Sequence, residues 1–304
     1  MSNLIEVSNL TKSYGRQRGI RNVTFTIQEG EVFGFLGPNG AGKSTTIRTL
    51  MGFLKPTSGS ARIGGFDCWR QSREAKRLIG YLPGEFSFDP SLTGAQILSY
   101  LGHLRGNIDQ AYLKQLVERL EVDPSKKFRT YSRGNKQKIG LIQAFMHKPA
   151  LLILDEPTSG LDPLNQQEFY KLVEEAHQAE RTVFLSSHIL PEVEHICQRV
   201  GIIREGELVQ VSEVEQLTHL RQQDVTIEFA QTPSASWFTG IEGVTKVTAG
   251  THEHELVLSI HGDLQHVIPI AAQHNATHIT THEPSLEEVF LRYYEPAQAI
   301  PANA

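Results

Sequence analysis

The sequence predicts an α/β core with a largely parallel sheet, an antiparallel β side sheet and a helical insert, followed by a small α+β C-terminal domain. Three observations predict it. Short apolar runs alternate with helical spacing along most of the first 218 residues. Between 87 and 146 the β signal fades and helical spacing takes over. After about 220 the pattern changes to alternating strands with few helical segments.

In order, 4–7 and 23–27 read as strands of the side sheet. Segments 31–36, 151–154, 182–186 and 200–203 read as buried strands, because each is short, apolar and bounded by turn residues. Segments 44–53, 165–179 and 191–199 read as helices of the core, and 95–104, 111–120 and 134–146 as helices of the insert. In the C-terminal part, Val225, Ile227 and Phe229 alternate, as do Leu256, Leu258 and Ile260. A helix is expected over 263–274, a strand over 277–281, and a last helix over 284–294 with Pro284 at its start. The expected division is 1–218, 219–294 and a Pro/Ala-rich disordered tail at 295–304. No internal repeat is visible.

Composition narrows the function classes. The 304 residues suffice for two domains with real cores, and 39% hydrophobic with 21% charged residues indicates a globular chain. A formal charge of -5 argues against nucleic acid as a partner, since nucleic-acid binding needs a basic face. The first six residues carry no signal-peptide pattern, and no apolar run approaches the ~20 residues that cross a bilayer. Any membrane role therefore needs a spanning partner. The two cysteines, Cys68 and Cys197, are far apart and read as reduced thiols.

Chemistry concentrates in two places. Gly37-Pro38-Asn39-Gly40-Ala41-Gly42-Lys43-Ser44 follows a predicted strand and opens a predicted helix, with Thr45 next. Such a glycine-rich turn aims backbone N–H groups and a helix N-terminus at phosphates; Lys43 reaches the β- and γ-phosphates, and the Ser44 hydroxyl suits Mg2+. The cofactors expected are thus ATP and Mg2+. The second place is Asp155-Glu156, at the C-terminal end of an apolar strand, where an open α/β sheet puts its ligand. Alone, such a pair after a strand is usually a helix cap or a solvated turn. Beside a phosphate loop, Asp155 suits Mg2+ and Glu156 suits proton transfer from an attacking water.

With these residues in place, 4–218 resembles the ATPases of ABC transporters. Tyr14 is similar to that family's adenine-stacking aromatic. Tyr131-Ser132-Arg133-Gly134-Asn135 resembles its signature motif, and Ser159-Gly160-Leu161-Asp162 its inter-protomer loop. His188, after Leu185-Ser186-Ser187, resembles its switch histidine. The resemblance implies an ATPase acting as a homodimer at the cytoplasmic face of the membrane, bound to separate permease subunits. It further implies that Ser132 and Gly134 close on the partner's nucleotide and that Glu156, His188 and Lys43 carry catalysis. The groove for a permease helix is expected in the helical insert with 84–100. Two departures stand out. The signature usually reads Leu-Ser-Gly-Gly-Gln, so Arg133 and Asn135 are substitutions, and Arg133 either adds charge near the nucleotide or faces solvent. The family also usually has Gln after the segment matching Gly80-Tyr81-Leu82-Pro83; here stand Gly84 and then Glu85, which either takes over that role or leaves it unfilled. Residues 284–291 resemble the end of an accessory domain on ATPases of two-component exporters. A non-transport ABC ATPase is the alternative, although the long coiled-coil insert of the DNA-repair type is absent.

Seven histidines (His252, His254, His261, His266, His274, His278 and His282) crowd the C-terminal domain. His252 and His254 would share a face on a strand, which is the start of a metal site, but no ligand motif is complete. Solvated strand and loop positions are the simpler reading.

Overall fold

The computed structural model describes residues 2–15, 17–106, 108–215 and 222–282. It divides into two compact units, Met1–Val214 and Glu215–Ala304. The expected helix at 284–294 and the tail lie outside the described residues.

The first unit holds two sheets. The side sheet is formed by β1 (Asn3–Tyr14), β2 (Gln17–Gln28), β4 (Ser58–Ile63) and β5 (Phe66–Asp67), in the order β2-β1-β4-β5 with antiparallel pairing. The central sheet contains β3 (Val32–Leu36), β6 (Ile79–Leu82), β7 (Leu151–Asp155), β8 (Thr182–Ser187), β9 (Arg199–Arg204) and β10 (Glu207–Glu213), ordered β10-β9-β3-β8-β7-β6. All are parallel except β10, which returns antiparallel along β9. β3, β7 and β8 are buried at every position, as a parallel sheet covered on both faces requires.

The two sheets share a core. Phe25 of β2 lies 5.6, 5.5 and 5.9 Å from Phe33, Phe35 and Phe184 of the central sheet, ring centre to ring centre. Such offset aromatic contacts add to the area they bury. The helices of this unit are α1 (Lys43–Leu50), α2 (Ser72–Arg77), α3 (Gly94–Arg105), α4 (Gln110–Arg119), α5 (Arg133–Phe145), α6 (Pro163–Gln178) and α7 (Leu190–Ile196). Their starts follow capping chemistry. Thr93 and Gln96 form a reciprocal capping box on α3, Asp109 caps α4, Ser132 caps α5, and Asp162 caps α6 just before Pro163. The insert is tied to the core by Arg119 of α4, which forks onto Glu175 at 2.7 and 2.8 Å and bonds Glu168, both on α6.

The second unit pairs β11 (Gln222–Phe229), β12 (Val244–Ala249), β13 (Glu255–His261) and β14 (Ala276–His282) in the antiparallel order β12-β13-β11-β14, with α8 (Val267–Gln273) beside them. The alternating apolar residues Val225, Ile227, Phe229, Leu256, Leu258 and Ile260 form its core with Phe238. Two expectations are corrected here. α8 starts at Val267, not 263, because the Asp263 carboxylate accepts from Gln265 N and makes a turn first. His252 and His254 lie in the turn before β13, so they do not share a strand face. No group of three metal-ligating side chains occurs among the described residues. His274 instead stacks on Trp237 at 3.9 Å.

Cys68 and Cys197 are buried free thiols. Burial pushes the Cys68 thiol up to about 12 and Cys197 well above its ordinary value, which makes both inert. No helix among the described residues is long and apolar enough to cross a membrane.

Candidate nucleotide site

Sheet order brings the two sequence clusters together. β3 pairs with β8, and β8 with β7, so Leu36 lies opposite Ser187 and Asp155 opposite Ser186. The glycine turn leaves β3, Asp155-Glu156 leaves β7 and His188 leaves β8, all at one edge of the sheet. This is the C-terminal edge, where parallel α/β sheets bind ligands.

The glycine turn is required by space and by backbone angle. A Cβ on Gly37 would stand 2.3 Å from Ile203 O. Gly42, with φ +114°, caps α1, and its added Cβ would stand 2.8 Å from Ile20 Cγ2. The turn is held by Gly37 N donating to Ser187 O at 3.2 Å and Gly206 N donating to Ala41 O at 2.9 Å. A cleft of 160 Å³ opens on it, lined by Pro38, Asn39, Gly40, Gly42, Lys43, Ser44 and Thr45, with Glu156 opposite and Gly19 at the side.

Lys43 is 5% exposed. Its ammonium donates to Gly37 O at 2.6 Å and Pro38 O at 3.2 Å, and lies 3.5 Å from Glu156 Oε1. Burial holds its pKa below the ordinary lysine value, partly opposed by the negative charges of Glu156 and then Asp155. Glu156 Oε1 is also 3.4 Å from His188 Nδ1. One carboxylate therefore faces the lysine of one strand end and the histidine of another.

The backbone places that carboxylate. Glu156 sits at φ +50°, a left-handed conformation uncommon for a residue with a side chain. Its N–H is held by Ser186 O at 3.2 Å and Ser186 Oγ at 3.1 Å. The Ser186 hydroxyl donates to Asp155 Oδ1 at 2.6 Å. Ser186 thus orients both acidic residues. In the sequence Ser186 is marked only by its place one residue before Ser187, on the strand directly beside β7. On the far side, Gln137 of α5 donates to Pro157 O at 2.9 Å and Glu156 O at 3.2 Å.

Gly84 follows β6 and lies against Asp155, since a Cβ there would stand 3.2 Å from Asp155 Oδ2. Glu85 is exposed. The Arg133 side chain is exposed, and its guanidinium donates to Ser159 Oγ at 2.8 Å. Ser132 caps α5 by accepting from Asn135 N at 3.2 Å, and Gly134 packs against Gly160 O. Tyr14 ends β1, 41% exposed, with the Lys12 ammonium 5.4 Å from its ring centre.

A strand, a glycine turn with a buried lysine and an acidic strand end at the same edge of the sheet define a P-loop nucleotide-binding domain. Residues 20–159 match the family model described as ABC transporter. The linearmycin resistance ATP-binding protein LnrL of Bacillus subtilis is 34% identical over 303 residues, covering 95% of this chain and 97% of that one. The bacitracin transport ATP-binding protein BcrA of Bacillus licheniformis is 39% identical over 213 residues, 69% of this chain and 70% of that one. A solved ATP-binding subunit of an ABC transporter superposes with TM-score 0.66 at 29% identity, over 71% of this chain and 92% of that one. The chain belongs to the ABC transporter family, as an ATP-binding subunit of the two-component type and an ATPase.

Proposed function

We propose that this subunit drives an exporter, closing as a homodimer on ATP at the cytoplasmic face of the membrane and passing the motion to separate permease subunits. The observation that carries the chemistry is the convergence of Lys43 and His188 on the Glu156 carboxylate, at 3.5 and 3.4 Å. Export is supported by the relatives named for linearmycin resistance and bacitracin transport.

Backbone N–H groups of the turn between Asn39 and Thr45 cradle the phosphates, and Lys43 leaves its loop carbonyls to neutralise them. Tyr14 stacks on the base. Ser44 and Asp155 fit Mg2+, because a hydroxyl and a carboxylate are hard oxygen donors and Asp155 is buried with one oxygen already fixed by Ser186. Bound there, Mg2+ supplies positive charge to the phosphate oxygens. Glu156 accepts the proton of the attacking water and His188 contacts the γ-phosphate. Ser132 and Gly134, at the N-terminus of α5, supply donors to the nucleotide of the partner protomer. ATP favours closure because only the closed pair offers both sets of contacts. The permease contact is assigned to the insert with 84–100, where Tyr100 and Leu104, one turn apart on α3, are 63% and 66% exposed.

The test is a pull-down of tagged protein from gently solubilised membranes, with ATPase assayed beside Glu156→Gln. A multi-spanning partner in the eluate, with hydrolysis lost and an ATP-bound dimer retained in the variant, is the expected result. Normal hydrolysis by Glu156→Gln would remove the base. Activity with no membrane partner would replace the exporter reading with a soluble ABC ATPase.

A further inference from the structure

α5 meets the turn after β7 at three successive points. The Arg133 guanidinium donates to Ser159 Oγ at 2.8 Å, and the arm of Arg133 lies across Gly160, whose added Cβ would stand 3.2 Å from Arg133 Cγ. Gly134 approaches so closely that its own added Cβ would stand 2.7 Å from Gly160 O. One turn later Gln137, 6% exposed, spends its amide on two consecutive carbonyls, Pro157 O at 2.9 Å and Glu156 O at 3.2 Å.

These contacts bear on a strained backbone. Glu156 is held at φ +50°, and its side-chain direction depends on that angle. Its N–H is fixed from β8 by Ser186. Its carbonyl is fixed from α5 by Gln137. The peptide on each side of the Glu156 Cα is thus anchored by a different element. We infer that Gln137 and Arg133 are positioning residues that brace the 156–160 turn against α5, so that a phosphate engaging the α5 N-terminus changes the aim of Glu156 in the same chain.

This rests on the proposed reading of Glu156 as base and of Ser132 and Gly134 as donors to the partner's nucleotide. In the closed pair, each chain's α5 start touches one nucleotide while its Glu156 serves the other. The brace therefore joins the two sites through a single chain. It uses a side chain at the one signature position where this sequence has arginine and the family has glycine. The linkage needs no movement of the sheet: Ser132 and Gln137 are five residues apart on one short rigid helix, and a small rotation of α5 moves both ends.

The experiment uses the full chain and compares Gln137→Glu, Arg133→Ala, Ser159→Ala and the Arg133→Ala/Ser159→Ala double variant with Glu156→Gln. Gln137→Glu keeps the volume but turns the donor into an acceptor facing two carbonyls. It should lower kcat about tenfold to a hundredfold, the usual cost of a misplaced catalytic group, with KM for ATP nearly unchanged. Arg133→Ala and Ser159→Ala should each reduce the Hill coefficient for ATP, and the double variant should do no more than either single one. Melting temperatures measured in parallel separate positioning from loss of fold. A kcat loss that merely follows the fraction of unfolded protein overturns the proposal. So does unchanged kcat and Hill coefficient in these variants while Glu156→Gln is inactive, which leaves the base reading standing. If Glu156→Gln itself hydrolyses normally, the base reading fails and takes the brace with it.

Discussion

Replacing Arg119 with Ala should destabilise the first unit by about 2 kcal/mol, a figure that follows from how its partners are placed. Arg119 and Glu168 are each 18% exposed, while Glu175 is 50% exposed. An exposed ion pair contributes roughly 0.2–1 kcal/mol, so the Glu175 fork sits at that level. Stripping the partner from a fully buried carboxylate costs about 3–5 kcal/mol, and Glu168, only partly shielded, falls well short of it. For a unit of this size each kcal/mol moves the melting temperature by roughly 2–4 °C, which gives about 4–8 °C for Arg119→Ala. The hydrogen bonds that the guanidinium donates to Glu175 and then Glu168 raise its already high pKa, so the charge persists at any working pH. Thermal unfolding of Arg119→Ala, Glu168→Ala and the double variant, each in low and high salt, measures it. The coupling energy from the cycle should be about 1 kcal/mol, and salt should weaken the Glu175 share while sparing Glu168. A coupling below about 0.3 kcal/mol would show that α4 is held to α6 by packing and that the ion pairs are incidental.

Three other outcomes follow from the site. Glu192, 3% exposed, has its carboxyl pushed above the ordinary value by burial, against hydrogen bonds from Ser187 and Thr158. A raised carboxyl pKa means the folded state binds more protons than the unfolded one, so stability falls as pH rises from the unfolded value through the folded one. Glu192→Gln should therefore raise the melting temperature above that window and leave it unchanged below; an equal effect at all pH values would rule this out. Gly37→Ala forces a methyl onto Ile203 O and should cost about 1–3 kcal/mol together with nucleotide binding, read by melting with and without ATP. Ser186→Ala removes the donor to Asp155 Oδ1 and should raise the Mg2+ concentration needed for half-maximal hydrolysis, a titration that a purely structural serine would leave unmoved.

What the sequence disclosed, and what it hid, has physical causes. β3, β7, β8 and the middle of β9 are buried on both faces, so each carries a short apolar run that the sequence shows directly. β4 reads Ser-Gly-Ser-Ala-Arg-Ile and β12 Val-Thr-Lys-Val-Thr-Ala; both are mostly exposed, and both escape a reading based on apolar spacing. Their place is set by partners distant in sequence, β1 for one and β13 for the other. At the site, the phosphate loop was legible because its residue types are dictated by local backbone geometry. The roles of Ser186 and Gln137 were not, because a serine in a strand and a glutamine in a helix acquire meaning only from the acidic turn that the fold sets between them. Arg133 was visible as a departure, but its partner Ser159, 26 residues on, was not.

The phenylalanine stack between the two sheets has a mechanical consequence. Phe25 comes from β2, and Phe33, Phe35 and Phe184 from the central sheet, with ring centres 5.5 to 6.1 Å apart. Interlocked aromatic faces at this density do not slide past one another. The hairpin that carries Tyr14 and the turn that carries Lys43 are consequently held in one block, with Gly19 of the hairpin lining the cleft over the turn. Under the proposed roles of those two residues, the block acts as a gauge for its ligand. A molecule with a base at one end and a phosphate chain at the other spans both stops, and one that lacks either end leaves a stop untouched.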